Sequence, residues 1–310
     1  MKIAILYTGA VRTMEKTIHY FKQNVLLNND RHVFAVVQSN DIEHDQKVLN
    51  DISSHIKSLT WFDQNDPHWL NIKRNLLSTM DISDQWKYYL GQGSGSMIEY
   101  YQMYLSYLQL EQYENEHQFK YDYVIRIRTD CVVTKPFIIK TYNEEDVKTI
   151  FNKQHIFNEN DLSTMITLFM TSMLDSNRMN LKNMNRTCYP SFYHHYLINN
   201  FDYEQFVKYI KEGYYLITFR ENVIYYGPRH VFDKIHQLGI TYGQLKTYND
   251  GYWFNAECQL KSICLHHNID IYDSSTTLEV KSLYEYDVQN YYQNDQLKNL
   301  DDVLFFLQRS

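Results

Sequence analysis

The chain has 310 residues, enough for one large α/β domain or two small ones, and its 44% hydrophobic and 22% charged content is that of an ordinary globular protein, which excludes a disordered chain. A net charge of −7 with no basic run argues against nucleic acid as the main ligand, so partners are expected to be small or neutral. The 29 tyrosines beside 9 glycines and 4 prolines are explained by a bias toward AT-rich codons at least as well as by sugar-binding aromatic platforms.

Lys2 to Tyr7 predicts a short apolar strand that runs into the turn Thr8-Gly9-Ala10-Val11-Arg12-Thr13, with a helix from Met14 to Leu27. Strand, glycine turn and helix open a nucleotide-binding α/β unit. There Gly9 lets the backbone approach a ligand, Thr8 lines the turn, and Arg12 offers a fork that matches phosphate. A plain βα turn with an exposed arginine is the alternative. The five-residue apolar run at the start is too short for a signal sequence or a membrane span, and no later segment approaches about 18 apolar residues. A cytoplasmic protein, at most peripheral to membranes, is expected.

His32 to Val37 predicts a second strand whose carboxyl end, Gln38 to Asp41, places Asn40 as a base or ribose contact. A helix from Val48 to Ile56 and a strand from Leu59 to Phe62 continue the alternation, which predicts a parallel sheet with right-handed crossovers. Residues 63–89 have no clean period. After the glycine-serine stretch 92–96 a helix runs to about His117, with Met97, Tyr101, Tyr104 and Leu108 as its core stripe.

Tyr121 to Thr134, YDYVIRIRTDCVVT, reads as one strand around β-branched Val124, Ile125 and Ile127. Arg126 and Arg128 share a face, and Asp130 stands at the strand's end. Charges on a buried strand must be paired with each other, as in a strand-end salt-bridge cluster, or with an anionic ligand that brings a cation. A nucleoside-diphosphate sugar held by Mn²⁺ or Mg²⁺ fits the second case, with Asp130 on the metal and Arg126 and Arg128 facing the diphosphate or its supporting carboxylates.

The second half predicts strands at 155–157, 214–219, 223–226 and 269–272 and helices at 203–210, 231–238, 252–267 and 301–307. On the helix from Tyr252, Trp253, Ala256, Leu260, Ile263 and Cys264 fall on one arc at about 100° per residue, and Glu257 lies inside it. His194 and His195 have no acidic neighbour in sequence, and a structural or surface role is expected. Cys131, Cys188, Cys258 and Cys264 lack CxxC spacing and are expected to stay thiols. A zinc site at Cys258, Cys264, His266 and His267 fails on geometry, since six helical residues rotate by about 240° and turn the sulfurs apart.

YDYVIRIRTD resembles the "YD-x-V-I-R-x-R-x-D" strand of GT-A-fold glycosyltransferases of the bacterial surface-polysaccharide and giant-virus kind. The opening "strand-x-x-G-x-x-R-[ST]", the run ENVIYYGPRHVFDKI and an acidic residue on a late helix are similar to the same family, across roughly residues 1 to 272. The resemblance implies a single GT-A-like, Rossmann-like three-layer α/β/α sandwich with a mostly parallel sheet over residues 1–310, of which 1–135 bind the nucleotide-sugar and 136–310 form the acceptor side and tail. It implies a metal-assisted hexosyltransferase that moves a sugar from a UDP- or GDP-linked donor to a hydroxyl of a glycan or protein. A viral member would work in the host cytoplasm. By resemblance Asp130 belongs to the DxD-type metal site, although Arg128 occupies the first acidic position, and Glu257 lies near the acceptor cleft. Two rivals are a nucleotidyltransferase, which lacks its glycine-rich loop here, and a non-catalytic nucleotide- or sugar-binding protein.

Overall fold

A computed structural model describes residues 1–79, 84, 87–88, 95–139, 212–218, 223–235, 260, 263–264, 267, 269–273, 281–282 and 303–307. The chain divides into two compact units, Met1–Ile139 with Tyr215–Ser310, and Lys140–Tyr214. The elements below belong to the first unit. The expected strand at 155–157, the helix at 203–210, His194 and His195 all lie outside the described residues.

The elements run β1 (Ile3–Ala10), α1 (Met14–Tyr20), β2 (Arg31–Gln38), α2 (Ile42–Leu49), β3 (Ile56–Trp61), α3 (Pro67–Thr79), α4 (Gly95–His117), β4 (Tyr123–Arg128), β5 (Cys131–Val133), β6 (Tyr215–Thr218), β7 (Ile224–Pro228), α5 (Arg229–Ile235), β8 (Asp270–Asp273), β9 (Lys281–Ser282) and β10 (Val303–Leu307). Seven strands form the central sheet in the order β3-β2-β1-β4-β7-β6-β8. β1 is parallel to β2 and β4, β2 to β3 and β6 to β8, while β7 alone runs antiparallel to its neighbours. The expected α/β architecture with a mostly parallel central sheet is the one observed.

Side-chain alternation sorts the two helical layers. Ala4 and Leu6 of β1, Phe34 and Val36 of β2 and Val124 of β4 share a core with Trp69 of α3, Tyr100, Met103, Tyr107 and Leu110 of α4, and Val231 and Phe232 of α5. Ile3, Ile5 and Tyr7 turn to the opposite face, where Tyr7 stacks on Phe21 at 4.5 Å. Both faces of β1 are buried, which is why it reads as an unbroken apolar run.

Several expected boundaries move. β1 continues through Thr8 and Gly9 to Ala10, so the turn begins later than the glycine suggests. The first helix ends at Tyr20 and passes into a wide π turn, Phe21–Val25, that keeps Phe21, Asn24 and Val25 all buried. Asn24 then donates to the Val133 carbonyl at 2.7 Å. α2 starts at Ile42 rather than Val48, because the Asp41 side chain accepts from the His44 N–H at 3.0 Å and caps it there. Asp66 in the same way accepts from the His68 N–H at 2.8 Å in front of Pro67, which opens α3.

α4 buries Met97 and Tyr101 as expected, but Leu108 is 37% exposed while Tyr100, Met103, Tyr107 and Leu110 are buried. The expected helix at 301–307 is instead strand β10, which pairs antiparallel with β5 and parallel with β9 in a second sheet. A five-residue apolar run has no period that separates the two choices. Leu260, Ile263 and Cys264 are helical and buried, and the His267 N–H donates to the Ile263 carbonyl at 3.0 Å, in line with a helix ending near His267. The two cysteines described, Cys131 and Cys264, are free thiols. No helix among the described residues is long and apolar enough to cross a membrane.

Candidate functional site

From β1 the chain builds outward to β2 and β3 on one side, and β4 lies on the other. The carboxyl ends of β1 and β4 therefore flank a topological switch point, where open α/β sheets hold their ligands. Hydrogen bonds join three strand ends there. The Val11 N–H donates to the Gln38 carbonyl at 3.0 Å, the Thr129 N–H to the Thr8 carbonyl at 3.1 Å, and the Thr129 hydroxyl to the Ala10 carbonyl at 2.7 Å.

The stretch from Tyr121 to Thr134 is not one strand. β4 ends at Arg128, and after Thr129 and Asp130 the chain enters the second sheet as β5. Its two arginines are used differently. Arg126 pairs in register with Leu6, is 1% exposed, and donates to Glu99 of α4 at 2.5 Å and to the Val223 carbonyl at 3.1 Å. It is a core residue. Arg128 stands at the strand end and grips Asp130 with a two-pronged fork, Nε to Oδ1 at 2.9 Å and Nη2 to Oδ2 at 2.6 Å. The side chains of Arg128 and Asp130 are 21% and 8% exposed.

Gly9 has a φ of +134°, which favours glycine, and a Cβ there would lie 2.8 Å from the Thr129 hydroxyl oxygen. What approaches this backbone is Thr129, so the glycine serves the junction of β1 and β4. Gly9→Ala is expected to destabilise the fold by about 1–3 kcal/mol, as strained backbone positions do, read as a lower urea midpoint with unchanged slope. An unchanged midpoint would show that the junction yields freely. Thr8, beside Arg128 in register, is fully buried, and its hydroxyl has no described hydrogen-bond partner.

Arg12 follows the junction and is exposed, with no ion pair to any described residue. α1 itself has only seven residues and no side-chain cap. Asn40 is exposed at the end of β2 and lines a cleft of about 310 Å³ with Gln38 and Ser39, and with Trp61 and Asp63 from the end of β3. That volume is at the small end of ligand pockets. The cleft's rim is braced: Ser39 donates to Asp45 at 2.5 Å and accepts from the Asp41 N–H at 2.9 Å.

The structure thus gathers Gly9, Arg12, Asn40, Arg128 and Asp130 at one edge of the sheet, leaves Arg126 in the core, and does not describe Glu257. Sequence reasoning missed Thr129, Trp61 and Asp63. The polar run Asp63-Gln64-Asn65 directly after an apolar strand was a usable signal for the last two. Among the described residues no three His, Cys, Asp or Glu side chains converge to hold a metal ion.

No protein-family model and no curated protein matches the chain. Among solved structures it is similar to the crystal structure of mouse xyloside xylosyltransferase 1 in its apo form, with 8% identity and a TM-score of 0.40 over 99% of this chain and 97% of that one. A likeness of that size assigns neither residues nor chemistry.

Proposed function

We propose that the chain is a glycosyltransferase that takes its sugar from a UDP- or GDP-linked donor and passes it to a hydroxyl of a glycan or protein. The observation that carries this reading is the continuity of the sheet edge. A base-sized cleft at the ends of β2 and β3 is joined by the Val11 to Gln38 bond to a junction flanked by Arg12 and Arg128. β2 and β4 are two strand spacings apart, roughly 10 Å, the span over which a nucleoside runs into its phosphates. In this arrangement Asn40 contacts base or ribose, Arg12 meets the diphosphate, and Arg128 stands where the leaving phosphate gathers charge.

In the transfer, the bond between the sugar's anomeric carbon and the β-phosphate oxygen breaks, and its electron pair stays on that oxygen. The acceptor oxygen forms the new bond to the anomeric carbon, and its proton passes to a base, for which we propose Glu257. The arginines stabilise the charge that develops on the leaving diphosphate.

Isothermal titration with UDP and GDP tests the reading. Arg12→Ala is expected to weaken the diphosphate roughly tenfold to a hundredfold, since a charge-assisted contact is worth about 1.5–3 kcal/mol, and to leave uridine or guanosine binding unchanged. Equal losses for nucleotide and nucleoside would place Arg12 elsewhere. A nucleotide-binding protein without transfer activity is the second reading, favoured by the engagement of both Asp130 oxygens with Arg128. Acceptor-dependent release of UDP or GDP from the sugar donor separates the two.

A further inference from the structure

We propose that the cleft at the ends of β2 and β3 selects guanine, the Asp63 carboxylate reading two adjacent N–H donors on the base edge, so that the sugar donor is GDP-linked. The inference rests on the donor reading above and narrows its nucleotide.

Asp63 stands where the far edge of a base must lie. Arg12 follows β1, Asn40 follows β2 and Asp63 follows β3, so in the order of the sheet the carboxylate is the outermost of the three. β1 and β3 are two strand spacings apart, roughly 10 Å. A nucleotide whose phosphates sit by Arg12 therefore passes its ribose at Asn40 and brings its base edge to Asp63. The carboxylate is held in place there. The Phe62 N–H donates to the Val37 carbonyl at 2.8 Å, and Asp63 Oδ1 accepts from the Asn65 N–H at 2.8 Å. Asp63 Oδ2 has no hydrogen bond to a described residue.

Trp61 supplies a surface for the base's face. Phe62 packs against Trp69 and Tyr101 in the core, so its neighbour Trp61 turns to the other side of the sheet. There it is half-buried and lines the cleft with Ile42, which is 51% exposed at the start of α2. An indole and an aliphatic side chain suit the flat faces of a base, whose edge is then read by hydrogen bonds.

The cleft offers acceptors to that edge. Of the described residues that line it, Asp63 alone is charged, and an ionised carboxylate only accepts. The Ser39 hydroxyl spends its proton on Asp45. Guanine carries N1–H and N2–H side by side, matching the two oxygens of a carboxylate in two charge-assisted bonds. Uracil flanks a single N–H with two carbonyls, so the same carboxylate meets like partial charges. Cytosine and adenine set a ring-nitrogen acceptor beside their amino group.

The test is titration of the full-length protein with GDP, UDP and inosine diphosphate in one buffer that contains Mn²⁺. GDP is expected to bind roughly tenfold to a hundredfold more tightly than UDP, and than inosine diphosphate, which lacks only the 2-amino group. Either competitor binding within tenfold of GDP overturns the inference and leaves the donor reading standing. An absence of binding by both GDP and UDP overturns the donor reading itself, and this inference with it.

Asp63→Asn keeps an oxygen for the Asn65 N–H and turns the other acceptor into a donor. It is expected to lose GDP affinity roughly tenfold to a hundredfold and to prefer xanthosine diphosphate, whose 2-carbonyl replaces the amino group. Unchanged GDP affinity, or equal losses for GDP and UDP, would assign Asp63 to the turn or the ribose and defeat the proposal. If the variant does not fold, the comparison of GDP with inosine diphosphate on the unaltered protein decides alone.

Discussion

Glu114→Gln is expected to lower folding stability by about 3 kcal/mol, because it takes from a buried guanidinium the buried one of its two counter-charges and leaves only the half-exposed Asp233. Glu114 is 1% exposed and Arg229 5%. Glu114 accepts from Arg229 Nε at 2.9 Å and Nη2 at 2.7 Å, from Lys120 at 2.8 Å and from the Tyr121 N–H at 3.0 Å. Arg229 also donates to the Tyr107 hydroxyl at 3.2 Å and to Asp233 at 2.5 Å. Burial alone would depress the Arg229 pKa, but the Glu114 bond and the carboxylates and Tyr107 around it leave it raised. The cluster pins the end of α4 to the start of β4 and the start of α5. It stands at the opposite end of β4 from Asp130. A urea titration should show the lower midpoint, with UDP affinity unchanged under native conditions. The double variant Glu114→Leu with Arg229→Met should be more stable than Glu114→Gln, since the charges that then lose a partner, Asp233 and Lys120, are the exposed ones. A loss below about 1 kcal/mol for Glu114→Gln would mean that water reaches the pair as it reaches exposed ones.

The same cluster sets a pH dependence. Burial raises the Asp233 carboxyl, but the Tyr107 hydrogen bond and Arg229 outweigh it and hold the group below its ordinary value. A carboxylate lowered in this way contributes stability above its unfolded pKa and loses it as pH falls through the folded value. The contribution belongs to neutral pH and disappears on the acid side. Because the Asp233 side chain is 53% exposed, solvent screens it and the contribution is small.

What was legible in the sequence was what local pattern controls. β1 and β2 carry long apolar runs buried on both faces, and such runs in alternation with helices announce a parallel sheet. The end of β4 drew attention because arginines and an aspartate interrupt a buried strand. Their partners were not legible. Glu99 is 27 residues from Arg126, and Glu114 is 115 residues from Arg229, so only the fold brings them together. Gly9 illustrates a different limit. The sequence marks a backbone that must be bare, but not whether ligand or protein approaches it, and the neighbour is Thr129, 120 positions later. The break at Thr129 was hidden for a related reason. Residues on both sides are β-branched, and a change of sheet leaves no trace in period or composition.

Glu257→Gln is expected to reduce sugar transfer by roughly a hundredfold to ten-thousandfold, the usual worth of a general base, and to leave UDP and GDP affinity unchanged. Glu257 lies outside the described residues, so the case rests on helical phase. Leu260 and Cys264, three and seven positions further on, are 1% and 0% exposed, as the arc drawn from sequence requires. A carboxylate in an apolar arc is costly unless it is paired or used. The competing role is an i,i+4 ion pair with Lys261, worth a few tenths of a kcal/mol at an exposed position. The two roles separate on kinetics. A base removed by Glu257→Gln lowers kcat with the donor's KM held, and the remaining activity loses the acid limb of its pH profile. Lys261→Ala, which breaks the pair and spares the carboxylate, should leave turnover intact. Equal loss of turnover in both variants, or a lower melting temperature with full turnover in Glu257→Gln, would assign Glu257 to the helix and leave the acceptor's proton to another group.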